Sequence, residues 1–271
     1  MNNISNIFKR LRAKNRCALI PYLMAYYPSK RAFPDVLLAA QDAGADLIEI
    51  GIPFSDPIAD GPAIERAGQI ALAEGATVDR VFKTLSGING KLAVPLVIMT
   101  YSNLLISHGV STFFADARRA GALGAVIPDL GLEESPAFRD AARKHGIDLI
   151  QFVAPTTPKN RIGKIAKAAD GFIYLVSVTG VTGARPGENF KLRDCIKAIR
   201  SAGDLPVCVG FGIATPRQAA DVAKIADGVI IGSAIVSVAS KCGQGRAGAM
   251  VGRFLKQIRT SMDSIGGTTC G

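Results

Sequence analysis

Short apolar runs alternate with longer amphipathic stretches from one end of this chain to the other. The runs are Ala18–Leu23, Leu47–Ile50, Pro95–Met99, Ala125–Ile127, Leu149–Phe152, Phe172–Val176, Pro206–Val209 and Gly228–Ile231. Each is followed by a stretch whose apolar residues recur at helical spacing: Phe33–Ala43, Pro62–Ala73, Ser111–Ala120, Pro136–His145, Arg161–Ala168, Lys191–Ser201, Arg217–Ile225 and Ala234–Ser240. Strands that alternate with helices build a parallel α/β sheet, because each helix carries the chain back to begin the next strand at the same end. Eight such units in 271 residues have the size and count of a (β/α)8 TIM barrel. An open doubly wound sheet is the other architecture that this alternation allows. No linker or shift in composition divides the pattern, so it predicts one domain over 1–271.

Ahead of the first run, Ile4, Ile7, Phe8 and Leu11 fall on one face of a helix. The segment 1–16 lacks the long apolar centre of a secretory signal and reads as an extra N-terminal helix of the fold. Thr215-Pro216 and Ser135-Pro136 read as N-caps followed by a first-turn proline, and Gly44 suits a helix end. The tail 265–271 has no period and is expected to be loose.

Composition narrows the function. With 48% hydrophobic and 20% charged residues, the chain has enough apolar surface to fold. No apolar stretch approaches the length of a membrane span. The net charge of +10 invites a nucleic-acid reading, but its distribution argues against one. Lys9, Arg10, Arg12, Lys14 and Arg16 lie at one end, and Lys241, Arg246, Arg253, Lys256 and Arg259 near the other. The stretch 17–240 has 22 basic and 21 acidic residues. Five cysteines with no CxxC pair point away from a disulfide framework or zinc cluster and towards reduced thiols in a cytoplasmic enzyme. His108 and His145, the only two histidines, are too far apart in sequence to suggest a metal site or a Ser-His-Asp triad, so no metal is expected.

In a barrel, chemistry belongs in the segments that follow the strands. The second run contains Glu49 and leads into Gly51-Ile52-Pro53-Phe54-Ser55-Asp56-Pro57-Ile58-Ala59-Asp60-Gly61-Pro62. A carboxylate inside an apolar strand is either satisfied structurally or raised in pKa for acid/base work. Asp60 is either a turn or cap residue ahead of Pro62 or a second functional carboxylate. Asp56 reads first as a cap of the Pro57 turn. The sixth run leads into the glycine- and threonine-rich stretch 177–187, which suits a mobile lid. Gly210-Phe211-Gly212 and Gly232-Ser233-Ala234 follow the seventh and eighth runs, the slots where barrels bind phosphate through backbone N–H groups and a helix N-terminus. Gly243–Gly248 matches GxGxxG but follows a helix near the C-terminus, where no nucleotide-binding unit can form.

The run from Glu49 to Pro62, with Tyr101-Ser102-Asn103, Ile127-Pro128-Asp129-Leu130, Gly180-Val181-Thr182-Gly183, Gly210-Phe211-Gly212 and Gly232-Ser233-Ala234 in that order, resembles the tryptophan synthase alpha subunit over 3–260. The resemblance implies a (β/α)8 barrel lyase that cleaves indole-3-glycerol phosphate to indole and glyceraldehyde 3-phosphate. It makes Glu49 the general acid/base at indole C3, Asp60 the partner of the indole N–H, and Tyr174 a catalytic-site neighbour of Glu49. Tyr22, Met99, Val126 and Ile231 match positions around the indole. Gly183, Phe211, Gly212, Gly232 and Ser233 match a phosphate cradle, and Thr182 a lid residue that positions Asp60. No cofactor is implied in this subunit; pyridoxal phosphate belongs to a beta-subunit partner in an αββα assembly, faced by Pro53, Asp56 and Asn103. Nucleic acid and membrane are not implied partners. The chain departs from the family at Leu23-Met24-Ala25-Tyr26-Tyr27-Pro28, where Leu-Thr-Ala-Gly-Asp-Pro is usual, and at Leu104, where many members have proline.

Overall fold

Eight parallel strands close into a barrel in chain order. They are β1 (Ala18–Met24), β2 (Ile48–Gly51), β3 (Leu96–Met99), β4 (Ala122–Val126), β5 (Asp148–Val153), β6 (Ile173–Val176), β7 (Val207–Gly210) and β8 (Gly228–Ile231). The computed structural model describes residues 3–176, 188–210, 212–241 and 245–264, with only the backbone of 188–191. Closure is direct: β1 is hydrogen-bonded to β2 on one side and to β8 on the other. The sheet therefore has no open edge, which excludes the doubly wound alternative.

The helices are α1 (Ile4–Ala13), α2 (Phe33–Asp42), α3 (Pro62–Ala73), α4 (Val78–Ile88), α5 (Ser102–His108), α6 (Val110–Arg119), α7 (Ser135–Lys144), α8 (Lys159–Ala168), α9 (Glu188–Ala202), α10 (Pro216–Ala223), α11 (Ser233–Ser240) and α12 (Ala247–Asp263). Three of them, α4, α5 and α12, are additions to the one-strand, one-helix pattern. The stripe of α4, Val78, Val81, Phe82 and Leu85, is buried, and the Thr77 side chain caps it by accepting from Arg80 N–H. β4 starts at Ala122, earlier than its apolar run suggests, because Ala122 and Gly124 carry little or no side chain to mark a strand. Thr215 caps α10 as expected, in a reciprocal box with Gln218. Ser135 does not cap α7: the helix begins at it, and its hydroxyl donates to the Leu132 carbonyl (2.8 Å).

Strand register fixes what points inward. Tyr22 pairs with Glu49, Glu49 with Val97, and Met99 with Val126. Across the barrel, Phe152 pairs with Tyr174 and Tyr174 with Cys208. Residues paired in a parallel ladder share a face, and alternate residues on one strand return to it. At the opposite end α1 lies with Ile4, Ile7, Phe8 and Leu11 buried, the stripe read from sequence. Its first amide, Ile4 N–H, bonds to the Asp148 carboxyl at the start of β5.

The β1–α2 loop holds the departure Met24–Tyr27. Tyr26 adopts φ 62°, a left-handed conformation that costs a non-glycine residue about 1–2 kcal/mol. Two things offset this. The Tyr26 ring is buried edge-on against Phe33, and its hydroxyl bonds to the Arg80 carbonyl (3.0 Å) and the Thr84 hydroxyl (2.9 Å) on α4. Tyr27 is buried with its hydroxyl donating to the Val236 carbonyl of α11 (3.4 Å). The two tyrosines thus join the loop to the helices on either side of it.

α12 covers α2, α10 and α11 and carries Arg259, which is only 4% exposed. Its guanidinium donates to the Cys17 carbonyl (3.0 Å) and the Asp46 carboxylate (3.3 Å), and pairs with Asp263. Asp46 in turn accepts from Leu19 N–H (2.9 Å). This links the last helix to the first strand. Arg259→Ala would leave the Asp46 carboxylate without that buried cation, and a loss of about 3 kcal/mol in unfolding free energy is expected in urea titrations.

Candidate active site

Glu49 projects from β2 into the barrel and is 1% exposed. Neither of its oxygens has a hydrogen-bond partner among the described residues. Burial without a partner disfavours the charged form and raises its pKa to about 8, with the Asp60 charge adding to the rise. At neutral pH this carboxyl holds its proton.

Two tyrosines face it, Tyr22 from β1 and Tyr174 from β6. Both are buried, and burial is the main cause of their raised pKa values, with Glu49 a further cause in each. Their rings fit because the neighbouring strands end in glycine. A Cβ on Gly51 would overlap the Tyr22 ring, and one on Gly210 would lie 2.6 Å from the Tyr174 hydroxyl. The Tyr22 hydroxyl donates only weakly, to Met24 Sδ at 4.0 Å. Phe152, an inward residue that the sequence pattern does not mark, packs against Tyr174 with ring centroids 4.8 Å apart and planes tilted by 45°.

Asp60 lies in the loop between β2 and α3. The cap position of α3 is Gly61, with Pro62 opening the helix, so Asp60 is not the cap. Burial raises its pKa to about 6 against the lowering effect of a hydrogen bond from Tyr101. The Tyr101 hydroxyl also accepts from Ala59 N–H (3.1 Å), and its own pKa is pushed up to about 12, chiefly by burial. The Tyr101-Ser102-Asn103 motif by itself implies no role for Tyr101; its place just after β3 is the signal the sequence offers. Next to it, the Asp129 carboxylate accepts from Ser102 N–H (2.9 Å) and from the Ser102 hydroxyl (2.6 Å), tying the β4–α7 loop to the start of α5.

The remaining expected residues separate into groups. Met99 and Val126, paired in register, sit one step above Val97 and Gly124 on the inner face. Ile231 does not join them. It pairs with Pro21, whereas Ile230 pairs with Ile20 on the face that carries Tyr22. Alternation therefore turns Ile231 outward to the helices and gives Ile230 the inward position. Gly232 is the cap residue of α11, Ser233 opens that helix, and Gly212 has φ 76°. Thr182, Gly183 and Phe211, the stretch 177–187 and the tail 265–271 lie outside the described residues.

At the surface, Asp56 and Asn103 are exposed, and the Ser55 hydroxyl donates to the Asp56 carboxylate. Pro53 is buried, its ring carbon 3.9 Å from where Gly68 of α3 would carry a Cβ, so it is covered by its own chain. Ile58 and Ile106, not singled out from sequence, are 81% and 60% exposed. On the outer helices Asp79, His108 and Asp116 come together, but His108 bonds to Asp116 (2.8 Å), which also pairs with Arg119. This is a satisfied ion cluster. No helix among the described residues is long and apolar enough to cross a membrane.

A buried and a half-buried carboxyl with separated pKa values, at the strand C-terminal end of a closed (β/α)8 barrel, fit an enzyme of the acid/base class. The comparisons narrow that class to one family. A family model described as tryptophan synthase alpha chain matches residues 8–263. The chain is 43% identical to the tryptophan synthase alpha chain of Prochlorococcus marinus (strain MIT 9313), covering 95% of this chain and 94% of that one. It is 46% identical to that of Picosynechococcus sp. (strain ATCC 27264 / PCC 7002 / PR-6), covering 87% and 90%. The solved tryptophan synthase subunit alpha from Legionella pneumophila str. Paris superposes with a TM-score of 0.90 at 32% identity, covering 98% and 100%. The chain belongs to the tryptophan synthase alpha chain family.

The pKa of Glu49 carries a stability prediction. A carboxyl raised from its ordinary 4.5 to about 8 stabilises the fold fully below the lower value and loses that contribution as pH rises to the higher one. Glu49→Gln has no charge to bury. Between pH 5 and pH 8 its unfolding free energy should gain on the parent by on the order of 3 kcal/mol, read by urea denaturation at the two pH values.

Proposed function

We propose that Glu49 and Asp60 carry the reaction of this lyase, the retro-aldol cleavage of indole-3-glycerol phosphate to indole and glyceraldehyde 3-phosphate in tryptophan biosynthesis. The observation that carries the assignment is the unpartnered, protonated Glu49 carboxyl in the barrel interior, with Asp60 beside it. Glu49 gives its proton to indole C3, and positive charge develops on the ring nitrogen. Asp60, with pKa about 6, is ionised at neutral pH and holds the N–H while that charge exists. The bond from C3 to the glycerol carbon then breaks, its electrons restore the indole ring, and the hydroxyl proton of the new aldehyde returns to Glu49. Each group ends in the protonation state in which it began.

Tyr22, Tyr174, Met99, Val126 and Ile230 enclose the indole. The phosphate is held by backbone N–H groups and not by cations. The amides of Ser233 and Ala234 open α11 without a backbone partner among the described residues, and Gly232 and Gly212 keep the approach clear. By resemblance, Gly183 and Phe211 would complete the cradle and Thr182 would position Asp60. Partnership with a beta subunit is inherent to the family. We assign to it the surface of Asp56, Ile58, Asn103 and Ile106, where two large aliphatic side chains stand exposed beside polar ones. Indole would pass to that subunit, which holds the pyridoxal phosphate of an αββα assembly. The whole chain acts as one barrel unit in this reading.

Glu49→Gln and Asp60→Asn should each lower turnover at least about 10²-fold in a lyase assay, and near-parental rates in either would remove its assignment. The pH profile of kcat/KM should be bell-shaped, rising as Asp60 ionises near pH 6 and falling as Glu49 ionises near pH 8. Added beta subunit should stimulate the lyase, and Ile58→Asp should weaken that stimulation without changing the basal rate. High unstimulated activity would instead make this a stand-alone lyase releasing free indole.

A further inference from the structure

Tyr22 of β1 reaches both ends of the site. The root of its side chain lies against Gly232, the cap residue of α11, where an added Cβ would be 3.4 Å from the Tyr22 Cβ and Cδ1. Its hydroxyl lies over Gly51 at the end of β2, where an added Cβ would overlap it. Gly51 is two residues beyond Glu49 and so shares its inward face. The ring therefore runs from the glycine cradle to the strand that carries the acid. A glycerol chain that joins a phosphate in that cradle to an indole C3 beside Glu49 covers the same span.

The hydroxyl has little use within the protein. Its one hydrogen-bond partner among the described residues is the Met24 sulfur at 4.0 Å, and a thioether is a weak acceptor. A phenylalanine would build the same wall without a poorly paired buried hydroxyl. Burial first, then the Asp60 charge, then that of Glu49 push its pKa well above the ordinary 10, so it keeps its proton and remains a donor. The substrate's glycerol chain offers two hydroxyls. The one beside the ring gives its proton to Glu49 as the aldehyde forms. The next, one carbon nearer the phosphate, is untouched by the chemistry and has no partner among the residues assigned to the reaction.

We infer, resting on the lyase reading, that the Tyr22 hydroxyl donates a hydrogen bond to this second glycerol hydroxyl and so selects substrates that carry it. The bonded group is the same before and after cleavage. The contact therefore holds substrate and transition state alike, and its loss should fall on KM more than on kcat.

Two ligands test this: indole-3-glycerol phosphate and the analogue lacking only the second hydroxyl. Both are titrated calorimetrically into Glu49→Gln, in which cleavage is slowed. Glu49→Gln should bind the full substrate about tenfold more tightly than the analogue. Adding Tyr22→Phe should weaken the full substrate about tenfold and leave the analogue within about twofold. In the otherwise parental chain, Tyr22→Phe should raise KM about tenfold, with a smaller effect on kcat. Equal affinities for the two ligands in Glu49→Gln, an effect of Tyr22→Phe that does not distinguish them, or a loss confined to kcat would each overturn the inference and leave the lyase reading standing. Parental turnover by Glu49→Gln, or no binding of either ligand, would remove the lyase reading and this inference with it. The two ligands compared in Glu49→Gln decide the matter even if the double variant fails to fold.

Discussion

A carboxyl group that is buried and makes no hydrogen bond is the condition around which the catalytic end of this barrel is built. Glu49 would be far cheaper to the fold as an apolar residue, and nothing in the described structure compensates it. The cost is tolerable because the group keeps its proton, and the strands around it are apolar on both faces and closed. Opening the barrel, or wetting its interior, would let Glu49 ionise and remove the acid. Closure by the β1–β8 ladder, the helix α1 beneath, and Arg259 binding the last helix to the first strand therefore all serve one chemical property.

Asp60 shows the complementary case. It too is raised by burial, yet it stops near 6 because Tyr101 bonds to it. Tyr101 is itself placed by β3 and by the neighbouring Ser102, which Asp129 fixes from the next loop. The two carboxyls differ in environment because one is on a strand with no partner among the described residues and the other is on a loop with one. The two units of pKa separation follow from that difference and suit the proposed division into proton donor and charge acceptor.

Much of this was legible in the sequence, and the reasons are specific. Eight apolar runs mark the barrel because parallel strands are covered on both faces. Glu49 stands out because it interrupts such a run. The helices α4 and α12 were missed although their stripes are regular, since the one-strand, one-helix rhythm leaves no slot for them. Ile231 was misplaced by one residue. In a run of four apolar residues, composition carries no information on which pair faces inward, and only the ladder to β1 decides it. Tyr101 and Phe152 escaped notice because a residue's reach across a barrel depends on neighbours far away in sequence.

The unusual Tyr26-Tyr27 pair, unexplained by sequence, becomes intelligible as packing. A glycine at position 26 would take φ 62° without cost but would bring no contacts. Tyrosine accepts the strained backbone and gains a buried ring and two hydrogen bonds to α4. Tyr27 reaches the other way, to the Val236 carbonyl in the first half of α11. The loop after β1 is therefore held from both sides by side chains, where a glycine would leave the backbone free. Anchoring of this loop matters to the site because Met24, at the end of β1, is the hydrogen-bond partner, among the described residues, of the Tyr22 hydroxyl that faces Glu49. The departure from the family pattern thus acts on the ring that walls the acid, through the strand they share.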